Sequence, residues 1–171
     1  AGEATLAAGQ GRAADVVPSL AGGQNYAFGG ALTGVDLNPP GVLAQVTGLW
    51  APTNAAADST GLYVVIAGGN DMREARNGLS TDASRQAAAE VAVQNLASSV
   101  GVLAGRGATK VLISTVPDLA FTPEAAALGR LAESSDASWR FNTLLLALEP
   151  TLEALFPWLD VLVLDMNALA A

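Results

Sequence analysis

Three short apolar runs, Leu62 to Ala67, Val111 to Val116 and Val161 to Leu164, show no alternation of polar and apolar residues. A strand with one wet face alternates, whereas a strand buried on both faces does not. These runs, rich in β-branched residues, therefore read as parallel strands inside a covered sheet. Parallel neighbours need long crossovers, and the chain supplies them. Between the first two runs, Ala89, Ala92, Val93, Leu96, Val100 and Leu103 recur at helical spacing, with Thr81 or Asp82 as cap and Gly105 or Gly107 as stop. Between the second and third, Phe141, Leu144, Leu145, Leu148, Leu152 and Leu155 form another stripe, which Pro150 is expected to kink or split. A shorter helix is expected over Glu124 to Ala132. Upstream, Pro39-Pro40 opens a helix through Leu43, Val46 and Leu49. The implied fold is α/β, three layers, with a doubly wound and mostly parallel sheet. The Leu62 strand is expected to be central and paired on both sides, with the Val111 strand beside it and the Val161 strand beyond.

The 171 residues, 51% of them hydrophobic, suffice for one core, and no composition shift or repeat marks a boundary, so residues 1–171 read as a single domain. A net charge of −8 repels phosphate backbones and argues against nucleic-acid binding. Ala1 to Ala14 lacks the basic start and apolar block of a signal peptide. Leu144 to Leu164 is broken by Glu149, Pro150, Glu153, Pro157 and Asp160, so no stable membrane insertion is expected there. The chain contains no cysteine and no histidine, which removes disulfides, thiolate chemistry and any Ser-His pair built from this chain alone.

In open parallel sheets ligands bind beyond the carboxyl ends of the strands. Those segments here are polar: Gly68-Gly69-Asn70-Asp71, Pro117-Asp118 and Asp165-Met166-Asn167. Together with Asn25-Tyr26-Ala27-Phe28-Gly29-Gly30-Ala31, the first of them resembles two sequence blocks of the SGNH or GDSL hydrolases, in the bacterial secreted and autotransporter-type branch. Val116-Pro117-Asp118-Leu119, Thr122-Pro123 and Phe141-Asn142 extend the resemblance, which covers most of Pro18 to Asn167.

The resemblance implies a flavodoxin-like α/β fold, a carboxylic ester hydrolase, a small-molecule ester or lipid substrate, a secreted or cell-envelope location, and no cofactor or metal. It places the family's oxyanion-hole glycine on Gly30 and its asparagine on Asn70. The physical reason for such a pair is that ester cleavage passes through a tetrahedral oxyanion that needs donors already aimed at it. A glycine N–H and an uncharged side-chain amide are suited to that. The family's Gly-Asp-Ser nucleophile segment and its carboxy-terminal Asp-x-x-His are not in this sequence, and the chain is expected to be inactive by itself.

Two other readings compete. Asp71, Asp118 and Asp165 follow three successive strands and could converge on Mg²⁺ for phosphoryl transfer. Such a site also needs a cation for phosphate, yet Lys110 begins the second strand and no arginine obviously follows one. The simpler expectation for Asp118 and Asp165 is that they cap turns. The other reading is a non-catalytic flavodoxin-like binding domain. Gly9-Gln10-Gly11 with Ala14 fits a relaxed dinucleotide fingerprint but follows no buried strand, and Ser19, Ser80 and Ser114 lack the flanking glycines of a nucleophile elbow.

Overall fold

The computed structural model describes residues 25–78 and 80–169; Gly9-Gln10-Gly11, Ala14 and Ser19 lie outside them. Strands β1 (Tyr63–Val65), β2 (Lys110–Ser114) and β3 (Asp160–Leu164) form one parallel sheet in the order β1-β2-β3. Tyr63 pairs with Val111, and Val111 in turn with Val161. The expected α/β class and parallel pairing are borne out. The expected centre is not: among the described residues β2 is the strand paired on both sides, and β1 pairs with β2 alone.

Before the sheet, helical turns α1 (Val42–Ala44) and α2 (Ala51–Thr53) flank a π-helical stretch, Gln45–Trp50. Helices α3 (Gly69–Ala75) and α4 (Asp82–Gly105) join β1 to β2. Helices α5 (Pro123–Leu128) and α6 (Leu131–Leu155) join β2 to β3, and α7 (Met166–Leu169) follows β3. A strand order that never reverses sends successive right-handed crossovers to the same side of a sheet. Burial agrees with this. Val65, Val111, Ile113 and Val161 share one core with Ala92, Leu96 and Val100 of α4 and Phe141, Leu145 and Leu152 of α6. On the opposite face Val64 and Leu162 are 57% and 41% exposed.

Helix α4 begins and ends as its sequence dictates. Thr81 caps it by accepting from Ser84 N–H in a reciprocal capping box. At the other end Gly107 N–H donates to the Ala104 carbonyl and Ala108 N–H to that of Leu103, a Schellman closure with Gly107 at φ 96°.

Helix α6 departs from expectation in two ways. It begins at Leu131, ten residues before the apolar stripe, because its first turns bury Ser134, Ala137 and Ser138 rather than large apolar side chains. The short helix expected to reach Ala132 accordingly stops at Leu128, where Gly129 takes a left-handed conformation. Pro150 does not split α6. Pro150 and Leu146, whose carbonyl loses its partner, both face solvent, where water can replace that bond, while buried Leu145 and Leu152 hold the helix on either side.

Candidate functional site

A cleft of about 470 Å³ opens beyond the carboxyl ends of β1 and β2, lined by Phe28, Gly30, Asn70, Val116 and Leu119 among others. Gly30 and Asn70, 40 positions apart in sequence, therefore share one cavity. The two are linked through one residue: the Asn70 side-chain amide donates to the Ala31 carbonyl at 2.9 Å, one residue after Gly30. An asparagine amide carries two N–H donors, so this bond leaves one for another acceptor. Gly30 closes a turn at φ 79°, and among the described residues its N–H has no hydrogen-bond partner. Its need for glycine is conformational: a Cβ there would meet nothing nearer than Pro39 Cγ at 4.0 Å.

Asn70 is aimed by its surroundings. Gly68, just before α3, sits at φ 106° against the buried Phe141 ring, so close that an added Cβ would lie 2.2 Å from Phe141 Cζ. The exit of β2 is fixed by the next residue of α6. The buried Asn142 side chain accepts from Val116 N–H and donates to the Val116 carbonyl, both at 2.8 Å, replacing a missing strand neighbour. Ser138 Oγ accepts from Leu119 N–H at 3.1 Å. Phe141 and Asn142 thus place the two walls of the cleft. The sequence pattern marked both residues but did not reveal what either touches.

The three strand-following carboxylates do not converge, and among the described residues no group of three metal-ligating side chains occurs. Asp71 accepts from Thr33 N–H and Oγ1. Asp118 accepts from Ala120 N–H and Ser135 Oγ, each at 2.8 Å, and so caps a turn as expected. Asp165 accepts from Thr115 Oγ1 and from the Asn167 and Ala168 N–H groups; the Ala168 N–H, then Thr115, holds its carboxyl below the usual range. The carboxylate-metal arrangement is thereby corrected, since each group is committed to a different set of hydrogen-bond donors.

One cation does follow a strand, contrary to expectation. Arg73 of α3 lines the cleft, and its guanidinium is held in a bidentate pair by Glu124, with both contacts at 2.6 Å. Glu124 also accepts from the buried Arg76 at 2.5 Å. The hydrogen bond from Arg73, followed by the charges of Arg73 and Arg76, pulls the Glu124 carboxyl down from 4.5 to about 2. Of the serines weighed as nucleophiles, Ser80 donates to the Ala75 carbonyl and accepts from Arg85. Ser114 is buried at the cleft, and among the described residues its hydroxyl has no hydrogen-bond partner. Lys110 opens β2, at the end away from the cleft.

No family model matches the chain. It is similar to a curated protein, Lipase 1 of Photorhabdus luminescens, with 38% identity over 111 residues. That match covers 64% of this chain and spans only 17% of the relative's length.

Proposed function

We propose that this chain carries the oxyanion-binding part of a lipase- or esterase-type hydrolase of the SGNH kind, acting on a carboxylic ester or lipid. The observation that carries the reading is the Asn70–Ala31 hydrogen bond, which ties a side-chain amide with a spare N–H to the residue after Gly30, whose N–H has no partner among the described residues, both lining one cleft. The similarity to Lipase 1 supports the reaction class.

In this reading a serine Oγ attacks the ester carbonyl carbon while a histidine accepts its proton, and the carbonyl oxygen becomes an oxyanion. Gly30 N–H and the second Asn70 N–H donate to that oxygen. Both groups are uncharged and already in place, so they stabilise charge as it develops without reorganising. Collapse of the intermediate expels the alcohol with the histidine's proton, and water then releases the acid from the acyl-serine. Histidine is absent from this sequence, so the base, and by the resemblance the nucleophile, belong to polypeptide outside these 171 residues.

The test uses a catalytically complete polypeptide that carries these residues. A tetrahedral transition-state analogue, such as an alkyl boronate, should bind at least 10²-fold more weakly to the Asn70→Ala variant, with substrate KM unchanged, because the lost donor serves the transition state. Equal analogue affinity in both proteins would remove Asn70 from the mechanism.

A further inference from the structure

We propose that Asp71 is a positioning residue, which clamps the Thr33 segment so that the Gly30 N–H is held at a fixed distance and angle from the Asn70 amide. The proposal rests on the oxyanion reading for its chemical consequence, though the clamp itself is a matter of geometry.

Adjacent residues of α3 grip one loop at two points. Asn70 Nδ2 holds the Ala31 carbonyl at 2.9 Å, and Asp71 holds Thr33, whose N–H lies 3.1 Å from each carboxylate oxygen and whose Oγ1 donates to Oδ1 at 2.7 Å. Asn70 by itself would hold the loop to α3 only at position 31, whereas the pair, at positions 31 and 33, sets the loop's orientation against α3. Thr33 is fully buried, and Asn95 of α4 donates to its Oγ1 at 3.2 Å, so the clamp is tied to the longest crossover before β2. From the other side the Leu32 and Thr33 carbonyls accept from Val42 and Leu43 N–H at 2.9 and 3.0 Å. Among the described residues Gly30 has no comparable hold of its own, so its orientation is inherited from Ala31 and Thr33.

A carboxylate suits this position for two reasons. Its bonds to N–H and O–H groups are charge-assisted, and the one from Thr33 Oγ1 is short at 2.7 Å, hence stiff. Its charge is also turned onto Thr33 and away from the cleft, whose lining does not include Asp71, so it opposes no developing oxyanion. Asparagine at position 71 would keep one accepting oxygen and the same shape, and alanine would keep neither.

The experiment is backbone amide relaxation and chemical shift on the ¹⁵N-labelled 171-residue chain, comparing Asp71→Ala, Asp71→Asn and Thr33→Val. In the wild type the Gly30 and Ala31 amides should show order parameters near the rigid value of about 0.85, falling below about 0.6 in Asp71→Ala, with partial recovery in Asp71→Asn. Amides of Leu96 and Val111 should keep their native shifts. If Asp71→Ala loses those core shifts as well, Thr33→Val becomes the deciding variant, because it removes only the two bonds of the Thr33 hydroxyl, to Asp71 and from Asn95, keeps the Thr33 N–H on the carboxylate, and should still lower order at Gly30. Unchanged order at Gly30 in whichever variant keeps the core overturns the proposal.

A kinetic arm separates this clamp from the functional reading. In a catalytically complete polypeptide, Asp71→Ala should lower kcat about 10-fold with KM unchanged, and its effect should largely vanish in an Asn70→Ala background. Loss of order at Gly30 with an inert Asn70→Ala would retain the clamp and discard the oxyanion reading. A full Asn70 effect with no effect of Asp71→Ala on kcat would do the reverse.

Discussion

The Asn70 amide and the Ala31 carbonyl, 39 positions apart, meet at 2.9 Å, and this contact joins the turn before α1 to the first turn of α3. Under the proposed oxyanion reading, replacing Asn70 by alanine in an active polypeptide removes both a donor to the oxyanion and a strut of the loop. The expected loss in kcat is about 10² to 10³, or about 3 to 4 kcal/mol, with KM nearly constant. Asn70→Asp should be at least as damaging, because it sets a negative charge toward a developing one. Steady-state kinetics on one small activated ester measures both, and a wild-type kcat in Asn70→Ala would end the oxyanion assignment.

The 171-residue chain by itself should neither turn over esters by a serine mechanism nor react with a fluorophosphonate. Without a triad, at most the residual ~10³ to 10⁴ over water from binding and the oxyanion hole remains. Ser114 is the informative control, since it lies at the cleft with a buried hydroxyl that has no partner among the described residues. With no histidine in the chain to take its proton, it should stay unlabelled. Stoichiometric modification of Ser114, found by peptide mass mapping, would relocate the nucleophile to β2.

Gly68→Ala should be among the most destabilising single-methyl additions available. The new Cβ would adopt a left-handed conformation, costing about 1 to 2 kcal/mol, and would collide with the Phe141 ring, adding about 1 to 3. Gly30→Ala is the control, because it carries the conformational cost while the methyl would meet only Pro39 Cγ, at 4.0 Å and without a clash. Urea denaturation should show a clearly larger loss for Gly68→Ala. Phe141→Leu should restore part of it, making the double variant less than additive; strict additivity would show that the ring is not what the methyl meets.

These contrasts also show what one dimension of sequence can and cannot carry. The strands and the ends of α4 were legible because hydrophobic runs and caps are local: Thr81 and Gly107 act on residues within four or five positions of themselves. The first ten residues of α6 were not, since a helix that buries Ser134, Ala137 and Ser138 leaves no apolar stripe to read. Gly30 and Asn70 stood out only as a pair of ordered blocks. Asp71 bound to Thr33 and Asn142 bound to Val116 span 38 and 26 positions, and a polar residue's sequence neighbours do not say which distant backbone it will grip. The same limit explains Arg73, whose place at the cleft depends on α3 turning it toward Glu124.

Glu124 gives the acid limb of stability a testable component. Its folded value, about 2, lies below its ordinary 4.5, so the deprotonated form is preferred in the folded state. The corresponding stabilisation is complete above pH 4.5 and is lost as pH falls through about 2, where the protonated side chain releases Arg73 and the buried Arg76. Glu133, Asp136 and Asp165 are lowered as well and act in the same direction, so the whole chain should lose stability on acidification. In Glu124→Gln the slope of stability against pH between 4.5 and 2 should be shallower than in the wild type, while the two slopes should match from about pH 6 to 8. Glu124 is partly exposed, so high salt should narrow the difference. Denaturation midpoints at closely spaced pH values check this, and identical acid slopes at low salt would show that the Arg73–Glu124–Arg76 cluster adds nothing to the folded state in solution.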